Sequence, residues 1–186
     1  DDKAVLDESI TAIKSESYNM QQLVEKLLFL ARSDKKTQKV YKEDFCINEL
    51  ITEIIKETKL IDVSHEISSE INENLSVYAD KNLLKQALRI FIDNSIKYTP
   101  IGGTIKLNSY IKRSNLTIEI IDTGIGIAKD DLPHIFTRFY RCDKSRAKES
   151  GGTGLGLSIS KWIIGKHNGS ILVESKLGMG DRKSVV

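Results

Sequence analysis

The chain has 186 residues, 40% hydrophobic and 29% charged, with 28 basic against 26 acidic side chains and a formal net charge of +2. That length holds one domain, or one domain with an appendage, and the charge balance gives no basis for a nucleic acid or an anionic membrane as partner. Cys46 and Cys142 lie far apart without metal-ligand spacing, as in a reduced cytosolic compartment, and no apolar run nears the ~18 residues that cross a bilayer.

Residues 1–34 predict one long helix. Leu6, Ile10, Ile13, Ser17, Met20, Val24, Leu27 and Ala31 follow alternating steps of four and three, the heptad seam along which helices supercoil. Leu23, Leu28 and Leu30 widen that stripe, as a bundle requires. A lone amphipathic helix lying on the body of the domain is the plainer alternative. A polar, aperiodic run follows, so residues 35–42 are assigned to a linker and 43–186 to a second unit.

That unit opens with a short strand near Phe45–Ile47 and a helix carrying Leu50, Ile51, Ile54 and Ile55. Alternating segments around 61–71 and 75–78 predict strands. Asp80 is placed to cap a helix running to about Tyr98. After the turn at Pro100–Gly103, Thr104–Lys112 and Leu116–Asp122 predict a hairpin through Arg113–Asn115. A glycine-containing loop, a short helix near Asp131–Phe136, a polar stretch, a helix at about Leu155–His167 and a strand at Ser170–Ser175 complete the chain. This mix predicts an α+β fold, a two-layer sandwich of a mixed β-sheet with helices on one face.

Four clusters carry chemistry. In Asp93-Asn94-Ser95-Ile96-Lys97-Tyr98, Asn94 and Lys97 lie three apart on one helix face, where a carboxamide oxygen suits a hard cation and an ammonium suits phosphate. Asp122-Thr123-Gly124-Ile125-Gly126-Ile127 puts a carboxylate where a strand stops, beside glycines that let backbone approach a flat ligand. Ile135–Arg141 combines the aromatic residues Phe136, Phe139 and Tyr140 with two arginines, Arg138 and Arg141, as a greasy anchor that positions a phosphate-directed arginine. Gly151-Gly152-Thr153-Gly154-Leu155-Gly156-Leu157 opens the last helix, whose free N–H groups suit phosphate. No Gly-Lys-Ser/Thr follows, so this is no P-loop. The stretch before it is polar loop, which argues against a dinucleotide fingerprint. Singly, each cluster is also compatible with a polar helix end, a capped turn, a packed helix or a flexible loop.

In this order and spacing the clusters resemble the N, G1, F and G2 boxes of the bacterial sensor histidine kinase catalytic domain, in the GHKL superfamily with its Bergerat-type ATP-binding fold. The resemblance covers roughly residues 43–177, and the heptad helix resembles the second helix of that family's dimerisation and phosphotransfer hairpin. It implies ATP and magnesium as cofactors, with Asn94 ligating magnesium, Lys97 on phosphate and Tyr98 lining the adenine or ribose side. It implies Asp122 reading the adenine amino group, with Gly124, Gly126 and Ile127 shaping the pocket. Arg141 approaches the γ-phosphate, and Gly152, Thr153, Gly154, Leu155 and Gly156 hold the phosphates and hinge a lid over about Cys142–Thr153. The implied partners are a response-regulator receiver domain and a second copy through the stalk, and the implied setting is the cytoplasmic part of a membrane-anchored sensor.

Three departures qualify the resemblance. Ile90 stands where the N box usually has a polar or acidic residue, which puts one contact near the phosphates in question. No acceptor histidine precedes the heptad helix: His65-Glu66 sits in a strand-like segment, and His134 and His167 read as structural or solvent-facing. The expectation is of a chain that binds ATP and has nothing of its own to phosphorylate. Last, Asp181-Arg182-Lys183 breaks the pattern of a final apolar strand, predicting that this strand is absent or altered and a sheet edge exposed. Beside the kinase reading stand a nucleotide-sensing, catalytically weak regulatory module, a dimerisation module built on the heptad helix, and a serine/threonine kinase of the anti-sigma type.

Overall fold

The computed structural model describes residues 2–71, 75–142 and 152–186. Helix α1 (Asp2–Asp34) is followed by β1 (Glu43–Cys46), α2 (Ile47–Ile61), β2 (Glu66–Ser68), β3 (Ser76–Ala79), α3 (Lys81–Tyr98), β4 (Thr104–Lys112), β5 (Asn115–Asp122), α4 (Gly156–Lys166), β6 (Ile171–Ser175) and β7 (Asp181–Val185). The main sheet runs β2-β4-β5-β7-β6, with β2 parallel to β4 and the remaining pairs antiparallel. Strands β1 and β3 form a separate antiparallel pair. The architecture is the α+β mixed-sheet arrangement expected, with a long helix leading it.

Alternation builds the inner face of the sheet. Ile105 and Leu107 of β4, Ile118 and Ile120 of β5 and Val185 of β7 are buried beneath the apolar faces of α2, α3 and α4. The β4–β5 hairpin turns through Arg113 and Ser114, both at positive φ (50° and 67°), a two-residue turn that matches the twist of its strands. Helix α3 starts as expected: Asp80 Oδ1 accepts from Leu83 N at 3.0 Å, and Asp80 Oδ2 accepts from Tyr41 N at 2.8 Å. It ends at Tyr98, one residue before the Thr99-Pro100 pair, where the proline disfavours helical backbone.

The structure differs from expectation in three places. Helix α2 continues to Ile61, leaving only Glu66–Ser68 as strand in the alternating 61–71 segment. Residues 131–136 form successive turns closed by bonds such as His134 N to Asp131 O at 2.8 Å, not a helix. The final strand is present: β7 pairs with β5 on one side and β6 on the other. Sheet pairing uses backbone, so polar side chains do not forbid it, and the inward Lys183 is satisfied by charge pairing.

The C-terminal part of α1 packs on the body. Leu30 is buried, Leu23 and Phe29 lie against the core, and Phe29 meets Trp162 edge-on at 5.2 Å. Arg138 grips Asp34 through two bonds of 2.7 and 2.6 Å. The heptad positions Leu6, Ile10, Ile13, Met20, Val24 and Leu27 are exposed.

Candidate functional site

The last turns of α3 carry the site because their residues point three ways. Asn94 Nδ2 donates to Ile90 O at 2.9 Å, which fixes the amide and leaves its oxygen as the end available to a cation. Ser95 turns inward and donates to Asp122 Oδ2 at 2.8 Å. Lys97 faces the glycine loop: a Cβ added to Gly152 would stand 2.5 Å from Lys97 Nζ. Half-burial lowers the Lys97 pKa, and the nearby charges of Arg141 and Lys26 lower it further. An anion beside Lys97 would offset both the like charge and the desolvation that its ammonium meets there. Tyr98, 44% exposed, closes the helix, and its carbonyl accepts from Ile125 N at 3.0 Å.

The loop after β5 forms the opposite end. Asp122 is buried, with Oδ1 accepting from Gly124 N at 3.1 Å. A Cβ at Gly124 would stand 2.7 Å from Tyr98 O, and one at Gly126 (φ 72°) 2.2 Å from Lys176 O, so no larger residue fits either place without moving backbone. Ile127 N donates to Ser175 Oγ at 2.6 Å, which ties the loop to β6.

The glycine loop enters α4 between these ends. Gly154 (φ 68°) accepts from Phe139 N at 2.9 Å, and its Cα lies so near Phe139 that a Cβ would meet the Phe139 carbonyl carbon at 2.7 Å. Thr153 is half-buried, and Leu155 is wholly buried, anchoring the loop to the core. Gly156 lies against α3, where an added Cβ would meet Ile90 Cγ2 at 3.0 Å. The unusual Ile90 therefore packs against the start of α4. Phe136 is partly buried, whereas Phe139 is exposed at φ 64° and does not anchor the segment. Tyr140 donates to Asp131 at 2.5 Å, and that bond with burial pushes the phenol up to about 12. The lysines and arginine expected in the lid, Lys144, Arg146 and Lys148, lie outside the described residues.

Sequence reasoning missed three contributors. Ser95 carried no signal beyond its place between Asn94 and Lys97. Lys26 belongs to α1 and reaches the site only through the fold. Lys183, read as a break in a strand, donates to Asp122 Oδ2 at 3.0 Å. Among the histidines, His167 Nε2 accepts from Asp80 N and its Nδ1 donates to Ile163 O, a structural brace in the neutral form. His65 bridges Asp62 and Thr99 O, and His134 is exposed beside Tyr140 at 5.4 Å.

Residues 79–186 match the family described as histidine kinase-, DNA gyrase B-, and HSP90-like ATPase. The chain is 36% identical, over 177 residues and 95% of its length, to the signal transduction histidine-protein kinase ArlS of Staphylococcus haemolyticus. It is 36% identical over its whole length to ArlS of Staphylococcus aureus strain USA300. It spans only 39% and 41% of those relatives. Among solved structures it is similar to the Acinetobacter baumannii histidine kinase AdeS, with TM-score 0.76 at 24% identity, covering 95% of this chain and 82% of that one. Full-length ShkA in complex with AMPPNP gives 0.83 at 24% identity, covering 96% and 37%. The nucleotide-free catalytic domain of histidine kinase ThkA gives 0.66 at 30% identity, covering 78% and 93%.

Proposed function

The chain belongs to the histidine kinase-, DNA gyrase B- and HSP90-like ATPase family, as a bacterial histidine kinase catalytic ATP-binding domain, and on that premise we propose that it binds Mg-ATP on the last turns of α3 and passes the γ-phosphoryl group to a histidine of a helix paired with α1. The carrying observation is that one stretch of helix touches every part of the site: Asn94 offers an oxygen, Ser95 holds Asp122, and Lys97 faces Gly152. The complex of ShkA with AMPPNP supports a nucleotide triphosphate as the ligand.

The residues divide the work by chemistry. Lys97 and Arg141 neutralise phosphate charge, and the glycines at 152, 154 and 156 let phosphate oxygens approach backbone N–H groups at the start of α4. Magnesium, held by Asn94 and the phosphates, supplies further neutralisation when bound. Asp122 and the glycine turn after it face the base. The domain acts by positioning and charge stabilisation, with no covalent step of its own. His65 and His167 are committed to structural bonds, which supports an acceptor on another helix. The exposed heptad seam of α1 suits that pairing and a second copy of the chain. A response-regulator receiver domain follows as the downstream partner.

Calorimetry with Mg-ATP tests the proposal. Lys97→Met should weaken binding about tenfold to a hundredfold, the worth of one charge-assisted hydrogen bond. Binding that is absent in the unaltered chain, or indifferent to Lys97→Met and Asn94→Ala, would reject the site. A nucleotide-sensing, catalytically weak module is the second reading, favoured by the apolar Ile90 packed against Gly156 where a polar side chain would face the phosphates.

A further inference from the structure

Asp122 ends β5 on the buried face of the sheet, and both its oxygens are already held. Oδ1 accepts from Gly124 N at 3.1 Å and Asp181 N at 3.2 Å, and Oδ2 accepts from Ser95 Oγ at 2.8 Å and Lys183 Nζ at 3.0 Å. A carboxylate offers about four lone-pair sites, so these donors fill it. Lys183 is no surface lysine. The β5–β7 register sets it opposite Ile120, with Asp181 opposite Asp122, so its side chain points into the layer beneath the helices. The Lys183 side chain is 4% exposed and that of Asp122 3%. Asp181 Oδ2 takes a second bond from the ammonium at 3.1 Å.

We infer that Lys183 sets the base specificity of this nucleotide site by occupying the acceptor that an amino-bearing purine would use. The inference rests on the reading that Asp122 lies at the base end. An adenine amino group is a donor and needs a free acceptor. Two of the four donors on Asp122 are backbone N–H groups, and the third is fixed on α3, so the base must displace Lys183 or meet an ammonium with its own N–H groups. A 6-oxo purine offers the ammonium an acceptor at position 6 and adenine offers one at N1, while the N1–H of the first and the amino group of the second both find Asp122 filled. The buried pair therefore removes the preference for a 6-amino over a 6-oxo purine that a free carboxylate would impose.

ATP and inosine triphosphate differ at this edge of the base, which makes them the probe. Calorimetry on the full chain with magnesium should find the two bound within about threefold of one another, and Lys183→Met should favour ATP by about tenfold or more, the worth of one recovered hydrogen bond. An unaltered chain that already prefers ATP by that margin overturns the inference, and this measurement needs no variant to fold. A folded Lys183→Met chain with an unchanged ratio overturns it too. Tripolyphosphate separates the two levels of the argument. If it binds as tightly as ATP to both chains, the base makes no use of Asp122 and the inference falls while the phosphate end stands. If none of the three ligands binds, the nucleotide site itself is rejected and this inference with it.

Discussion

The two ends of the site are built on opposite principles. At the phosphate end, Lys97 is half-buried beside a glycine loop, and the charges of Arg141 and Lys26 act against its ammonium. At the base end, Asp122, Lys183, Asp181 and Ser95 satisfy each other. Helix α3 contributes to both ends, through Lys97 at one and Ser95 at the other, while their partners come from α1 and from β5 and β7. An end that stores unfavourable charge contributes binding energy and little stability. An end that is internally paired contributes stability, and a ligand must compete with it.

Substitutions at both ends would break or sharpen this contrast. Asp122→Ala has the largest expected effect, because it leaves Lys183 buried with Asp181 alone. Breaking one side of a buried ion pair costs about 3–5 kcal/mol when no counterion remains, and with Asp181 still bonded to Lys183 the loss should sit at the lower end, lowering the melting temperature by on the order of 10 °C in a chain of this size. Adding Lys183→Met should recover much of that loss. A double variant no more stable than the single one would mean that the ammonium is not what Asp122 serves. Calorimetry of Asp122 variants is therefore read only after their unfolding curves.

Lys97→Met comes next and should do the reverse, weakening ATP and tripolyphosphate alike while leaving stability unchanged or slightly raised, since it removes a half-buried cation among cations. Gly152→Ala is smaller again. The added methyl meets the mobile end of Lys97 rather than backbone, so the chain should fold normally and lose only a few-fold in triphosphate affinity, about 1 kcal/mol or less. Loss of folding in Gly152→Ala would show the loop to be structural, as the base end is.

Which parts of this were legible in the sequence follows from what each depends on. Asp80 was readable as a cap and Asp122 as a strand-end carboxylate, because local pattern decides both. The glycines suggest room for a ligand near the backbone, whereas what surrounds those at 124, 126 and 154 is protein backbone, a constraint the sequence does not show. Lys183 breaks the apolar pattern of a final strand, yet backbone pairing and a buried counterion 61 residues away make a charged strand acceptable. Lys26 could not be read, since its place at the site depends on how α1 lies on the body. The turns at 131–136 resemble a helix in composition, and their i to i+3 bonds are a distinction that composition does not carry.

His65 bears on the helix that joins the two ends. Its Nδ1 lies 2.7 Å from Asp62 Oδ2 and its Nε2 2.9 Å from Thr99 O. Both partners are acceptors, so both ring nitrogens donate only in the imidazolium. Burial works against that charge, but the Thr99 carbonyl and the Asp62 carboxylate outweigh it and raise the histidine pKa above 6.5. For Asp62, burial works upward, and the Ser64 N–H with His65 outweighs it and holds the carboxyl below 3.8. The signs set a window. The raised histidine contributes stability that is complete below 6.5 and lost as pH rises through its folded value. The lowered aspartate contributes stability that is complete above 3.8 and lost as pH falls through its folded value. The pair thus fastens Thr99, the C-cap of α3, most firmly between about pH 4 and 6.5. His65→Gln should lower the melting temperature most near pH 5, and the gap from the unaltered chain should narrow as pH rises from 6.5 through the raised value. Because Thr99 directly follows the turn that carries both Lys97 and Tyr98, loosening it should weaken phosphate and base contacts together. A variant that weakened ATP and tripolyphosphate by the same factor would place the staple's influence on the phosphate end alone.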